Sequence, residues 1–247
     1  MIQGVLFDLG WTLMYADVNG DGTAQAHAAL GAYLRANGFA ANDDFSRAFQ
    51  AARERGWKLA DETGVEQPGA LALAETFTQF GWACPDGLLA RANDAFFGAL
   101  GDKWHAYPDA LATLRELARR GWRAGIISNA DDNGLVHRQV QRMGFAPFVN
   151  PVLSSAAEPR WRKPDPRLFH LVSDAWQIAP REIVYVGDSP RYDTLGAHRA
   201  GMRAILLERG DGGWWQKVPA ELATDPQIQP DATVKTLAEI PGVIEKM

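Results

Sequence analysis

Cysteine is nearly absent from this chain: Cys84 is the single one among 247 residues, so no disulfide can close within it. Such a composition suits a reducing compartment, and the expected location is cytoplasmic. No histidine lies near Cys84 in sequence to activate its thiol, so it is expected to pack as a small apolar residue. Long hydrophobic runs are missing too. None approaches the ~20 apolar residues a membrane helix needs, and the first residues read as a strand rather than a signal peptide. Positive charge is not in excess, since 25 Lys and Arg face 30 Asp and Glu. Basic clusters such as Arg119-Arg120 and Arg160 to Lys163 are short, and read as solvated faces or site residues. Neither a nucleic acid nor a membrane is an expected partner. Internal repeats and low-complexity tracts are lacking as well.

What is present is an ordinary globular composition, 47% hydrophobic and 22% charged. The length suits one large domain or two modest ones, with ample core material. Residues 4–8, 123–128, 150–154, 183–187 and 203–207 are short runs rich in Val, Ile and Leu, as strands buried on both faces should be. Helical patterns lie between the later runs, over Ala110 to Arg120, Leu135 to Met143, Pro166 to Trp176 and Asp193 to Ala200. Gly121, Gly144 and Gly201 supply stops for three of them. This alternation predicts an α/β fold with a doubly wound, Rossmann-like parallel sheet.

The first strand breaks the rhythm. Before Ala110 the chain reads as helices without strands, roughly Thr23–Asn37, Asp43–Lys58, Gly69–Phe80 and Asp86–Leu100. So long a connection with its own secondary structure is an insertion rather than a loop. The expected division is a catalytic core over 1–15 and 105–247 and an all-helical cap over 16–104. Entering soon after Asp8, the cap should hang over the catalytic end of the sheet.

Chemistry gathers at the ends of the apolar runs. Asp8 closes the first, Ser128-Asn129 the second, Lys163-Pro164 follows a third, and Gly187-Asp188-Ser189 ends a fourth. Open α/β sheets bind ligands beyond the carboxyl ends of their strands. Two Asp, a Ser and a Lys collected there offer a nucleophile, a metal ligand, a hydrogen-bond donor and a fixed cation. That set equips a site for phosphoryl transfer.

Asp8-x-x-x-Thr12, Ser128-Asn129, Lys163-Pro164 and Gly187-Asp188-Ser189 with Asp193 resemble, in order and spacing, the four motifs of the haloacid dehalogenase superfamily. The resemblance covers nearly the whole chain. It implies Asp8 as nucleophile, Thr12 and Ser128 as hydroxyls at the reacting group, Asn129 as a donor to phosphoryl oxygens, and Lys163 as the cation paired with Asp8. It further implies Mg²⁺ held by Asp8, the Gly10 carbonyl and Asp188, with Asp193 coordinating or just behind. The implied partner is a small phosphorylated metabolite, and a homodimer is left open.

One position departs from that pattern. The superfamily's phosphatases carry a second Asp two residues after the nucleophile, as general acid and base. Here it is Gly10, and the usual following Gly is Trp11. A positioned acid–base group is worth roughly 10²- to 10⁴-fold in rate. Three explanations stay open. Asp17 could reach back as a substitute; the substrate could have a good leaving group or carry its own proton; or the chain could be a 2-haloacid dehalogenase, a class that also lacks the second Asp. Against the last, Asp188 looks metal-binding, and Phe169 stands where those dehalogenases usually carry Tyr. A catalytically weakened, ligand- or partner-binding member is the remaining alternative. A Schiff-base role for Lys58 finds no matching surroundings.

Asp17-x-Asn19-x-Asp21-Gly22 imitates the start of a calcium loop, but its twelfth position is Ala28 where a bidentate Glu is needed. Trp57, Phe77, Phe80, Trp82, Phe96 and Phe97 fall in or beside cap helices at packing intervals, and most of them read as core. Trp11, beside the nucleophile, reads as a substrate-pocket wall. Trp214 and Trp215 lie in a Gly-rich stretch and either close that pocket or form a partner surface.

Overall fold

The computed structural model describes residues 1–16, 22–210, 213 and 216–247. Asp17, Asn19, Asp21, Trp214 and Trp215, with the roles expected of them, lie outside the described residues. Six strands form one sheet: β1 (Gly4–Phe7), β4 (Arg123–Ser128), β5 (Val152–Ser154), β6 (Ile183–Gly187), β7 (Arg203–Leu207) and β8 (Ala232–Val234). Their order is β5-β4-β1-β6-β7-β8, and every neighbouring pair is parallel. The chain runs outward from β1 through β4 to β5, then crosses to β6 on the other side of β1. The order therefore reverses at β1, where such sheets open their ligand crevice.

Alternation along the strands sends side chains to two cores. Val5, Phe7, Ile126, Val184, Val186 and Ile205 pack on one face with Leu114 and Leu117 of α5 (Ala110–Arg119) and Val136 and Val140 of α6 (Asn133–Arg142). Leu6, Ile127, Tyr185 and Ala204 turn to the other face. There they meet Leu168, Phe169, Val172 and Trp176 of α7 (Pro166–Trp176) and Ala197 of α8 (Leu195–Arg199). The stripe expected on α7 is thus the buried one. The sequence also leads one to expect a helix opening at Asp193. The chain instead enters α8 through a wide π-helical turn over Pro190–Thr194.

A two-stranded antiparallel ribbon, β2 (Met14–Ala16) with β3 (Trp104–Ala106), brackets four helices. These are α1 (Gly22–Ala36), α2 (Asp43–Thr63), α3 (Gly69–Gln79) and α4 (Leu88–Gly101). They share their own apolar cluster, built on Leu30, Phe45, Phe49, Leu73, Phe77 and Phe96. Helix α2 runs five residues past the expected Lys58 and stops at Gly64, whose φ of 70° suits glycine. Its last turns carry Trp57 and Leu59 toward solvent, 37% and 46% exposed, so the apolar stripe fades before the helix does. Trp57 is therefore not cap core. Cys84 is likewise exposed, because it sits in the link between α3 and α4 rather than on a packed face. Among the described residues no helix is long and apolar enough to cross a membrane.

Candidate active site

The ends of β1, β4 and β6 bring the expected residues to one place. Asp8 follows β1, and its N–H donates to Val186 O across the sheet at 2.9 Å. Beyond it the chain doubles back tightly: the N–H groups of Leu13 and Met14 both donate to Leu9 O at 3.0 Å. To close this turn Trp11 adopts a φ of 64°, a left-handed conformation that costs a non-glycine residue about 1–2 kcal/mol. Glycine, usual here in the family resembled, takes that conformation freely. Thr12, fully buried, has an Oγ1 without a hydrogen-bond partner among the described residues.

Lys163 is the centre of the arrangement. Its Nζ donates to Asp8 Oδ1 at 2.6 Å, Asp193 Oδ1 at 2.7 Å and the Tyr185 hydroxyl at 2.8 Å. These are the three bonds an ammonium can give. Tyr185 donates in turn to Ile127 O at 2.8 Å. Burial alone would push the Lys163 ammonium down, but the Asp193 and Asp8 carboxylates outweigh it and hold it above its ordinary value. Burial raises the Asp8 carboxyl to about 6, against the pull of Lys163. The two groups form a buried ion pair at 2.6 Å. Burial, with the surrounding carboxylates, lifts the Tyr185 phenol well above its usual range, so it is a neutral donor. Phe169 is a buried core ring in contact with Tyr185 at 5.0 Å. The hydroxyl beside Lys163 thus comes from Tyr185, which lies within an apolar strand run and carries no sequence signal for this contact.

Other expected residues take more specific positions than their types implied. Asn129 accepts from Lys163 N at 2.8 Å and donates to Lys163 O at 3.1 Å, so its amide clamps the lysine's main chain. Ser128, 6% exposed, holds its hydroxyl 3.5 Å from Asn129 O, at the outer limit of a hydrogen bond. Asp193 has both oxygens engaged, one with Lys163 and one accepting from Ser189 N at 2.9 Å. Asp188 accepts from Gln216 Nε2 at 3.0 Å; Gln216, beyond the last motif, carries no sequence signal for this contact. Oxygens of Asp8, Asp188 and Asp193 lie within 4.8 Å of one another. Lys58 is far more exposed and pairs loosely with Glu62 at 3.9 Å.

Two chambers meet at Asp8, Gly10, Trp11 and Asn129. The polar one, about 230 Å³, is completed by Arg162, Lys163, Asp188, Ser189, Tyr192 and Asp193. The other, about 280 Å³, is walled mainly by Met14, Phe97, Leu100, Trp104, Leu135 and Val136, with Arg53 and Asp131 at one side. The helices of the insertion reach this second chamber through polar contacts that the sequence did not signal. Arg53 of α2 donates to Asp131 Oδ2 at 2.7 Å and the Trp57 indole to Asp131 Oδ1 at 2.8 Å. Asn93 of α4 donates to Asp132 Oδ2 at 2.7 Å. Next to Lys163, Arg162 donates to both oxygens of Glu66, at 3.1 and 3.2 Å. Glu66 is 1% exposed, and it also accepts from Ser155 Oγ at 2.6 Å.

Comparison with known proteins places the chain in a family. Over 138 residues the chain is 35% identical to phosphoserine phosphatase of Thermus thermophilus, covering 56% of this chain and 51% of that protein. It is 35% identical over 107 residues to glyceraldehyde 3-phosphate phosphatase of Methanopyrus kandleri, covering 42% and 44%. The chain thus spans about half the length of these curated relatives. Among solved structures, a 2-haloacid dehalogenase from Pseudomonas syringae pv. Tomato superposes with a TM-score of 0.71 at 25% identity, covering 100% of this chain and 99% of that one. The family model for haloacid dehalogenase-like hydrolases matches residues 2–201, every motif at this sheet edge falls inside that span, and the chain belongs to that family.

Proposed function

We propose that this chain is a Mg²⁺-dependent phosphoric monoester hydrolase that cleaves a small phosphorylated metabolite through an aspartyl-phosphate on Asp8. The observation that carries the reading is Asp8 held by Lys163 at 2.6 Å, beside the Asp188 carboxylate in one chamber. In this reading Asp8 forms a bond to phosphorus while the ester P–O bond breaks, and the leaving oxygen departs with the electron pair. Water then adds to the phosphorus. Inorganic phosphate keeps the water's protons and Asp8 returns as carboxylate. Lys163 keeps Asp8 oriented and offsets phosphoryl charge, Asn129 fixes the Lys163 main chain, and the Ser128 and Thr12 hydroxyls serve the phosphoryl oxygens. Residues 16–104 act as the cap and 1–15 with 105–247 as the core.

The donor set suits Mg²⁺, which favours hard oxygen ligands and is commonly held by one or two carboxylates plus phosphate. Asp8, Asp188 and the Gly10 carbonyl would hold it. Asp193, with both oxygens engaged, would stand behind them. When bound, the ion supplies positive charge against the phosphoryl oxygens. The names of the two phosphatase relatives support a phosphorylated small molecule as substrate.

A second reading, 2-haloacid hydrolysis, is favoured by Gly10, by the apolar chamber and by the Pseudomonas syringae neighbour. A screen of phosphate esters and 2-haloacids with and without Mg²⁺ separates the two. Phosphate release that chelator abolishes, phosphate trapped on Asp8 by rapid quenching, and loss of turnover by orders of magnitude in Asp8→Asn are the expected results. Chloride release unaffected by chelator would move the assignment to dehalogenase chemistry. No labelling by any donor in Mg²⁺ would point to a binding protein.

A further inference from the structure

The position of the family's second Asp is not simply vacant. A Cβ built on Gly10 would lie 3.3 Å from Trp104 Cη2 and 3.5 Å from Cζ3, so the indole edge of β3 packs close against this position. The ring is anchored at its backbone. Trp104 pairs with Ala16 in the ribbon, and Arg142 donates to its carbonyl at 2.6 Å. Trp11 meets it edge-on, with centroids 5.8 Å apart and planes at 64°. The strained φ at Trp11 holds that second indole at the rim; strain of this kind collects at functional sites. Together the two rings and Phe97 line the apolar chamber that opens on Asp8.

We propose that this chamber is the leaving-group subsite, and that Trp104 selects phosphate esters whose leaving group is an aromatic or similarly flat apolar ring. The proposal rests on the phosphatase reading above. With the charged phosphoryl group beside Lys163 and Asp188, the other half of the ester crosses the shared rim into the chamber lined by Trp104, Trp11 and Phe97, with Arg53, Asp131 and Gln139 on its remaining side. At about 280 Å³ it exceeds the ~150 Å³ apolar cavity known to take up benzene. Ring faces and edges suit T-shaped or offset contacts with Trp11 and Trp104. The chemistry agrees with the shape. An aryl oxide leaves with the P–O electron pair as a more stable anion than an alkoxide and takes its proton later from bulk water, so the acid that Gly10 lacks is needed less for aryl than for alkyl esters.

The test compares kcat/KM for phenyl phosphate with that for acetyl phosphate, which has a good leaving group and no ring. Wild-type protein should favour the aryl ester. In Trp104→Ala the aryl-to-acetyl ratio should fall about ten- to hundredfold, the range expected for losing one buried ring, and Trp104→Phe should restore most of it. A ratio unchanged in Trp104→Ala, or a wild type indifferent to the ring, overturns the proposal. Calorimetric binding of phenylphosphonate against methylphosphonate decides the subsite independently of turnover. A clear preference for the phenyl compound, reduced in Trp104→Ala, supports it even if no ester is hydrolysed, in which case only the phosphatase reading fails.

Discussion

The buried network around Lys163 can be broken by a substitution that alters none of its members. Gly187 ends β6 beneath Asp193, and a Cβ there would stand 2.3 Å from Asp193 Cγ and Oδ2. No van der Waals contact is that short, so in Gly187→Ala the Asp193 carboxylate must move. It then surrenders its bonds with Lys163 Nζ and Ser189 N, at 2.7 and 2.9 Å. Hydrogen bonds to charged groups contribute about 1.5–3 kcal/mol each. Alanine returns about 0.4–1 kcal/mol by restricting the unfolded chain. Partial re-pairing as the carboxylate shifts leaves a net loss of about 2–4 kcal/mol. In a chain of this size that lowers the melting temperature by roughly 5–15 °C. Gly98→Ala is the matched control, because a Cβ there meets nothing within 4 Å, and inside helix α4 it should stabilise by about 0.5–1 kcal/mol. Calorimetry on both variants, with phosphate-ester turnover alongside, reads the difference. If Gly187→Ala melts within about 2 °C of wild type and keeps its activity, Asp193 does not hold Lys163 as argued.

The same contacts predict three further outcomes. Tyr185→Phe removes one of the three acceptors of Lys163 and should cost about 1–2 kcal/mol in denaturant unfolding; kcat should fall while KM holds, since a positioning contact rather than a substrate contact is lost. Gly10→Asp alone should gain less activity on alkyl phosphates than the double variant, because its Cβ would lie tight against Trp104 at 3.3 Å. Gly10→Asp with Trp104→Ala should exceed the sum of the single effects, a non-additivity that a double-mutant cycle measures. Burial, opposed by Arg162, holds the Glu66 carboxyl above its ordinary value of 4.5. The folded state therefore binds that proton more tightly than the unfolded chain. Its contribution to stability is fully present below pH 4.5 and is lost as pH rises through the folded value. The stability gap between wild type and Glu66→Gln should accordingly narrow as pH is raised toward neutrality, measured by denaturant titration. A gap that widens would mean that Arg162, not burial, sets the ionisation of Glu66.

The sheet and its catalytic edge were legible for one physical reason. Strands buried on both faces read as unbroken apolar runs, so the polar residue that ends each run marks the sheet's carboxyl edge. Asp8, Ser128 and Asp188 were found in that way. Local spacing said less about what the side chains touch. Asn129 after Ser128 has the chemistry of a phosphoryl donor, yet its amide is turned on the main chain of Lys163, which lies beyond β5. Asp193 has the chemistry of a ligand, yet the π-helical turn before α8 returns it to Ser189 N and Lys163. In both cases the residue type fixed the range of roles, and a distant segment chose among them.

Trp104 is the sharpest case of that limit. Its strand β3 is three residues long with a mixed burial pattern, too short for a period-two signal to stand out from the helices around it. Only its antiparallel pairing with β2, across the whole helical insertion, carries the indole to Gly10. Read locally, Gly10 is a deletion, an acid exchanged for nothing. In the folded chain the same glycine lets the ring lie close, because a Cβ there would stand 3.3 Å from it. An acid restored at residue 10 would press on the wall, and the indole edge would have to give by a few tenths of an ångström to admit its Cβ. Selection for a leaving group that has less need of a proton is consistent with both the glycine and the wall.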